Sequence, residues 1–157
     1  MTGRVDARLA ELGVTLPSAM PPIANYVPWV ATGRLVVVSG QVPAQDGRIV
    51  VTGKVGEAVS LEDGRAAARL CLLNVLTHLR SACGGDLDRV RRVVRLGGFI
   101  AAPAGFTQHA QVMNGASDLA VEVFGEAGRH ARTTIGVPSL PADAAVEVEG
   151  LFEINPA

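Results

Sequence analysis

The sequence predicts an α+β protein built as a two-layer sandwich, a mixed sheet with two helices on one of its faces. Dense β-branched runs bounded by turn residues fill NYVPWVATGRLVVVSGQVP and GRIVVTGKV, and they recur in RRVVRLGGFIAA and near the C-terminus. Between them, two long segments carry apolar residues at helical spacing along a single stripe each, which is the pattern of helices laid on a sheet. With 157 residues, 48% of them hydrophobic, the chain can bury one core of ordinary size. One domain over residues 1–157 is therefore expected, with residues 1–20 forming an N-terminal helix and connector.

Taken in order, a short helix is expected from about Arg4 to Leu12, stopped by Gly13, and PSAMPPIA follows as an extended connector. Turn signals at Thr32-Gly33 and Asp46-Gly47 divide the next segment into three strands of an antiparallel meander. Leu35 to Val38 lack polar alternation, so burial on both faces is expected there. Ser60 with Asp63 three residues on reads as a capping box, opening a helix whose Ala68, Cys71, Leu72, Val75, Leu79 and Ala82 share one face; Glu62, Arg65, Arg69 and Arg80 take the other, and Gly84-Gly85 close it. A strand ending at Pro103-Ala104-Gly105 precedes a second helix from about Thr107 to Phe124, with Val112, Ala116, Leu119, Ala120 and Val123 inward and Gln111, Asp118 and Glu122 in water. Two strands, about Arg132 to Val137 and Ala144 to Ile154, complete a βββαβαββ order. Val36, Val38, Val94, Ile135, Val146 and Val148 read as β-branched surface on both sides of their strands, so the face left bare by the helices is expected to bind other copies of the chain.

Fourteen basic and fifteen acidic residues leave a charge of -1 with no run of either sign, which argues against a nucleic-acid partner. The N-terminus is polar where a secretory signal needs an apolar stretch, and no apolar run is long enough to span a bilayer, so no membrane partner and a cytoplasmic location are expected. Cys71 and Cys83 lie twelve positions apart on one predicted helix, roughly 18 Å at 1.5 Å per residue, beyond disulfide reach; both read as reduced core residues. No glycine-rich phosphate loop, no C-x-x-C pair and no paired histidine spacing is present, so neither cofactor nor metal is expected. His78, one turn after Asn74, reads as a hydrogen-bonded core histidine; His109 and His130 read as solvated, with His130 near enough in sequence to touch a ligand held by Arg132.

Arg132 follows a glycine-rich turn and opens a strand at the rim of the sheet. Two accounts stay open. It pairs with Glu147 or Glu149 across neighbouring strands, or its guanidinium fork clamps a carboxylate ligand, a task better suited to arginine than to lysine. Glu147, Glu149 and Glu153 alternate with Val146, Val148 and Phe152, so the acids share one side of their strand. If that side borders a cleft, one of these carboxylates can position or activate a water.

Tyr26, VSGQVP from Val38 to Pro43, CLLNVLTHL around Asn74, and above all Arg132 followed by Leu140-Pro141 and then Ala145-Val146-Glu147-Val148-Glu149 resemble the Rid (YjgF, L-PSP endoribonuclease-like) family over about residues 20 to 154. FGEAGRHAR and the N-terminal helix resemble its longer branch, labelled endoribonuclease or chorismate-mutase-like. The resemblance implies a chorismate-mutase-like fold assembled as a homotrimer around an inner β-barrel, with ligand clefts between subunits. It implies a hydrolase of the 2-iminobutanoate/2-iminopropanoate deaminase type, which turns reactive imines and enamines into 2-ketoacids and ammonia. Arg132 would bind the substrate carboxylate, Glu147 would manage the catalytic water, and Tyr26, Thr134 and Trp29 would line the cleft. Val27-Pro28-Trp29 stand where the best-known branch has Ser-Gln-Ala, and Thr134 stands where it has cysteine. The alternatives are a non-catalytic trimer that binds small carboxylates and, behind it, an endoribonuclease.

Overall fold

The computed structural model describes residues 2–157. Helix α1 spans Arg4–Glu11, and strands β1 (Trp29–Thr32), β2 (Leu35–Gln41), β3 (Ala44–Gln45) and β4 (Arg48–Ile49) follow the connector. Helix α2 (Leu61–Ala82), strand β5 (Val90–Ala101), helix α3 (His109–Phe124), and strands β6 (Ala131–Val137) and β7 (Val146–Ile154) complete the chain. The main sheet runs β1-β2-β7-β5-β6. All its pairings are antiparallel except β5 with β6, which α3 joins as a crossover. The fold is the α+β mixed-sheet arrangement that the sequence predicts.

The predicted three-stranded meander is corrected. Gly33 (φ +59°) turns β1 into β2 as expected, but GRIVVTGKV does not extend the sheet. Arg48–Ile49 pair with Ala44–Gln45 in a separate small hairpin, and the rest of the segment makes isolated bridges; the two-residue turn places Asp46 and Gly47 both at positive φ, the geometry that suits a tight hairpin. The edge beyond β1 stays open, and the position beside β2 that a third meander strand would take belongs to β7.

One sheet face is buried under α2 and α3. Val36, Val38, Leu96, Ile100, Val146, Val148 and Phe152 meet Ala68, Cys71, Leu72, Val75 and Leu79 from α2 and Val112, Ala116, Leu119 and Ala120 from α3, all at most 1% exposed. Each large side chain so buried contributes about 1.5–3 kcal/mol. The other face is uncovered. Leu35 and Val37 point there at 40% and 48% exposure, which corrects the two-sided burial expected of this run: the alternation is real but both members are apolar. Of the six β-branched residues expected to furnish both faces, Val36, Val38, Val146 and Val148 all face the helices, and it is Ile135, with Val30, Leu35 and Val37, that makes the bare face apolar.

Ser60 caps α2 by accepting from the Asp63 amide at 3.1 Å. The basic face of α2 borders α3 and α1 at the surface: Arg65 donates to the Gln111 carbonyl, Arg69 pairs with Glu122 at 3.2 Å, and Arg80 pairs with Asp6 of α1. Gly115 is what lets the two helices approach, since a β-carbon there would collide with the Arg65 carbonyl. Helix α3 starts at His109, two residues later than expected. Helix α1 has no capping side chain of its own; the Asp88 carboxylate accepts from the Arg4 and Val5 amides at 2.7 Å each, and those bonds hold its pKa below the usual carboxylate range.

Both cysteines are fully buried, with burial pushing their thiols up. His78 is a core residue, 4% exposed and with its pKa lowered by burial. Asn74, one turn before it, is buried too, and its amide donates to the carbonyls of Ala44 (2.9 Å), Val42 (3.3 Å) and Leu70 (3.1 Å). It thereby pins the segment following β2 to α2. Replacing it should strand those carbonyls: Asn74→Ala is expected to lower stability by about 1–3 kcal/mol, more than Ser60→Ala at about 1 kcal/mol. Thermal unfolding of the two variants side by side checks the order, and an Asn74→Ala midpoint equal to wild type would refute the pinning.

Candidate functional site

The VSGQVP segment bends at a β-bulge. Val38 pairs with Gly150 and Gln41 with Val148, so two residues, Ser39 and Gly40, oppose the single Glu149. Each has a task. Ser39 donates from its hydroxyl to the Val27 carbonyl at 2.7 Å and from its amide to the Pro28 carbonyl at 2.9 Å, holding the Tyr26–Trp29 segment against the sheet. Gly40 leaves room for the Glu147 side chain, whose carboxylate would sit 2.8 Å from a β-carbon at this position. Gln41 and Val42 then form a wall.

The result is a small apolar recess of about 80 Å³, lined by Met20 to Ile23, Tyr26, Pro28, Gln41, Val42, Ala44, Pro141 and Glu147. Tyr26 and Glu147, distant in sequence, meet here. Burial first, and the neighbouring Glu149 charge second, raise the Glu147 pKa above the ordinary carboxylate value. Glu149 and Glu153 have cations within reach, Arg95 at 3.4 Å and Arg91 at 3.3 Å, whereas Glu147 has no ion pair among the described residues. Of the three glutamates of β7, it is the one without a cation among the described residues.

Arg132 lies elsewhere. Strand β5 separates β6 from β7, so the cross-strand pair with Glu147 or Glu149 is ruled out by the topology. Leu96 registers with both Arg132 and Gly150, while Phe99, three residues on, registers with both Ile135 and Glu147. An odd separation on a strand means opposite faces. Arg132 therefore projects to the helix side and Glu147 to the bare side, from strands roughly 10 Å apart at two interstrand spacings. On its side Arg132 reaches α3: Nη1 donates to Asn114 Oδ1 at 2.9 Å and Ser117 Oγ at 3.0 Å, and Nη2 to the Ala110 carbonyl at 3.4 Å. It has no carboxylate partner among the described residues. A shallow groove of about 280 Å³ beside it is lined by Asn114, Ser117, Asp118, Val121, Arg129 and His130.

Thr134 follows Arg132 on the same side of β6; its hydroxyl is buried and makes no hydrogen bond among the described residues. Trp29 registers with Val38 and so turns to the helix side, outside the recess that holds Tyr26. Thus the five residues singled out in the sequence divide into a Tyr26–Glu147 pair on one face, an Arg132–Thr134 pair on the other, and Trp29 packed apart from both. Gly40, Asn114 and Ser117 were invisible as site residues. Asn114 and Ser117 stand three apart on α3 and read from sequence as ordinary polar helix surface; only the placement of β6 turns them toward an arginine.

A family model for "YjgF/chorismate mutase-like, putative endoribonuclease" matches residues 6–153. Protein TCP17 of Trypanosoma cruzi is 48% identical over 155 residues, covering 98% of this chain and 96% of that protein. The crystal structure of Atu1372 from Agrobacterium tumefaciens superposes with a TM-score of 0.91 at 46% identity, over 96% of this chain and 92% of the other. The YjgF gene product of Escherichia coli has a TM-score of 0.63 at 25% identity, over 90% and 98%. Fold, motif spacing and near full-length matches converge: the chain belongs to the YjgF/chorismate mutase-like family.

Proposed function

We propose that the protein hydrolyses reactive 2-imino and 2-enamino acids to 2-ketoacids and ammonia, at sites assembled between copies of the chain. The observation that carries this reading is charge left without a counter-charge among the described residues: a guanidinium with no carboxylate partner and, on the opposite face, a half-buried carboxylate with no cation. An α-imino acid supplies what the arginine lacks, a carboxylate, and presents beside it a C2 carbon that is already electrophilic. Such a substrate needs holding, a water and proton transfers, which two or three side chains can supply.

Because Arg132 and Glu147 leave opposite faces of one sheet, a single small substrate touches both only if a second copy brings its Tyr26–Glu147 recess to the Arg132 groove. The apolar residues on the uncovered face, Val30, Leu35, Val37 and Ile135, favour such assembly, and a closed trimer with the sheets innermost gives every copy the same contact. In the assembled site Arg132 binds the substrate carboxylate and Glu147 takes a proton from water. The oxygen adds to C2, the C=N π pair moves to nitrogen, and the resulting tetrahedral carbinolamine, once protonated on nitrogen, releases ammonia and leaves the C=O of the 2-ketoacid. A raised carboxylate pKa suits this role, since it makes the carboxylate a stronger base for water.

Arg132→Ala should lower kcat/KM for 2-iminobutanoate generated in situ by about 100-fold or more, as the loss of a charge-assisted clamp implies. Retained acceleration in this variant would overturn the reading, and binding of 2-ketoacids by calorimetry without any turnover would replace it with the binding-only trimer. Glu147 gives a second prediction whose two arms run oppositely. A carboxylate with its folded pKa above its unfolded one destabilises the fold once ionised: the cost is absent below the unfolded carboxylate pKa, about 4.3, and grows as pH rises through the folded value. Glu147→Gln should therefore raise the thermal midpoint at pH 7 and leave it unchanged near pH 3, while abolishing turnover. A variant that is less stable at pH 7, or that keeps its activity, would remove Glu147 from the proposal.

A further inference from the structure

The guanidinium of Arg132 is not free to receive a carboxylate in any orientation, because most of its donors are already committed. Both Nη1 hydrogens have acceptors, Asn114 Oδ1 at 2.9 Å and Ser117 Oγ at 3.0 Å. One Nη2 hydrogen makes a long bond to the Ala110 carbonyl at 3.4 Å. Nε makes no hydrogen bond among the described residues. Nε–H and one Nη2–H are the donors left without an acceptor among the described residues. An end-on approach across Nη1 and Nη2 would have to displace α3's acceptors.

Ser117 can hold Nη1 only if its own proton points elsewhere, and the groove shows where. Ser117 Oγ lies 2.9 Å from His130 Nε2, and His130 Nδ1 lies 2.6 Å from the Gly128 carbonyl. A carbonyl only accepts, so Nδ1 carries the hydrogen; in the neutral ring Nε2 is then the acceptor, and it takes the Ser117 proton. The chain Gly128 C=O, His130, Ser117, Arg132 is thus oriented end to end, with each group presenting the lone pair or hydrogen its neighbour needs. Gly128 itself is fixed by crowding, since a β-carbon there would collide with the Ala120 carbonyl of α3.

We propose that Asn114, Ser117 and His130 are positioning residues that aim Arg132, so that a ligand carboxylate binds only through the Nε/Nη2 edge. This rests on Arg132 being the carboxylate clamp of the reading above.

The test is calorimetric titration of 2-ketobutyrate into the full-length assembled protein. Ser117→Ala should weaken binding about tenfold, the equivalent of one hydrogen bond to a charged group, and Ser117→Thr, which keeps the hydroxyl, should restore it. Nitrogen NMR of the His130 ring at neutral pH should show the Nδ1–H tautomer in the wild type. Arg132→Ala serves as the reference. If it abolishes binding while Ser117→Ala binds like wild type, or if Ser117→Thr fails to rescue, the positioning role is overturned and the clamp stands. If Arg132→Ala binds as well as wild type, clamp and positioning fall together. An Nε2–H tautomer at His130 would overturn the oriented chain directly.

Discussion

Strand β5 is the constraint on which the rest depends. It pairs along nearly its whole length with β7 on one side and over Arg95 to Ala101 with β6 on the other, in opposite senses, so the two strands that carry Glu147 and Arg132 are held in one register through a shared middle strand. Alternation then decides everything about which side chains can cooperate. Positions that register with Leu96 belong under the helices, and positions that register with Phe99 or Gly97 belong to the bare face. A slip of one residue between β5 and β7 would turn the β7 alternation over and put Glu147 into the core.

That division gives the small residues of the sheet a common purpose. Gly97 accommodates Glu149, and Gly40 accommodates Glu147, each glycine lying where a β-carbon would press on the carboxylate. Glu147 and Glu149 are thereby laid over the sheet, and for Glu147 burial raises the pKa. On the helix side Gly98 does the same for Met113, and Gly136 for His109. Two layers and the half-buried Glu147 carboxylate are thus fitted by deletion of side chain as much as by choice of it.

Much of this was legible in the sequence and some was not, for physical reasons. The helices were readable because a 3.6-residue stripe and a Ser60 cap are local signals, and both α2 and α3 fall within two residues of the expected limits. The Arg132 and Glu147 positions were marked by their motif. Their placement on opposite faces was not, because it depends on which strand lies between them, and strand order is a long-range property that neither segment encodes. The misread third strand has the same origin: Val50 and Val51 have high strand propensity, yet β7 takes the place beside β2, and the segment is left to bridge Thr52 with Ala144. The acceptors of Arg132 could not be found because polar residues on a helix look alike until the neighbouring strand is known.

The cap on α1 has a consequence for how the chain comes into being. The amides of Arg4 and Val5 are closed by a carboxylate 84 and 83 residues further along. An eight-residue helix is far too short to persist alone in water. During synthesis at 5–20 residues per second, roughly 4–17 s separate the emergence of its amides from that of Asp88. Through that interval the Arg4 and Val5 amides lack the carboxylate that closes them in the folded chain, so the stability of α1 depends on a segment made much later.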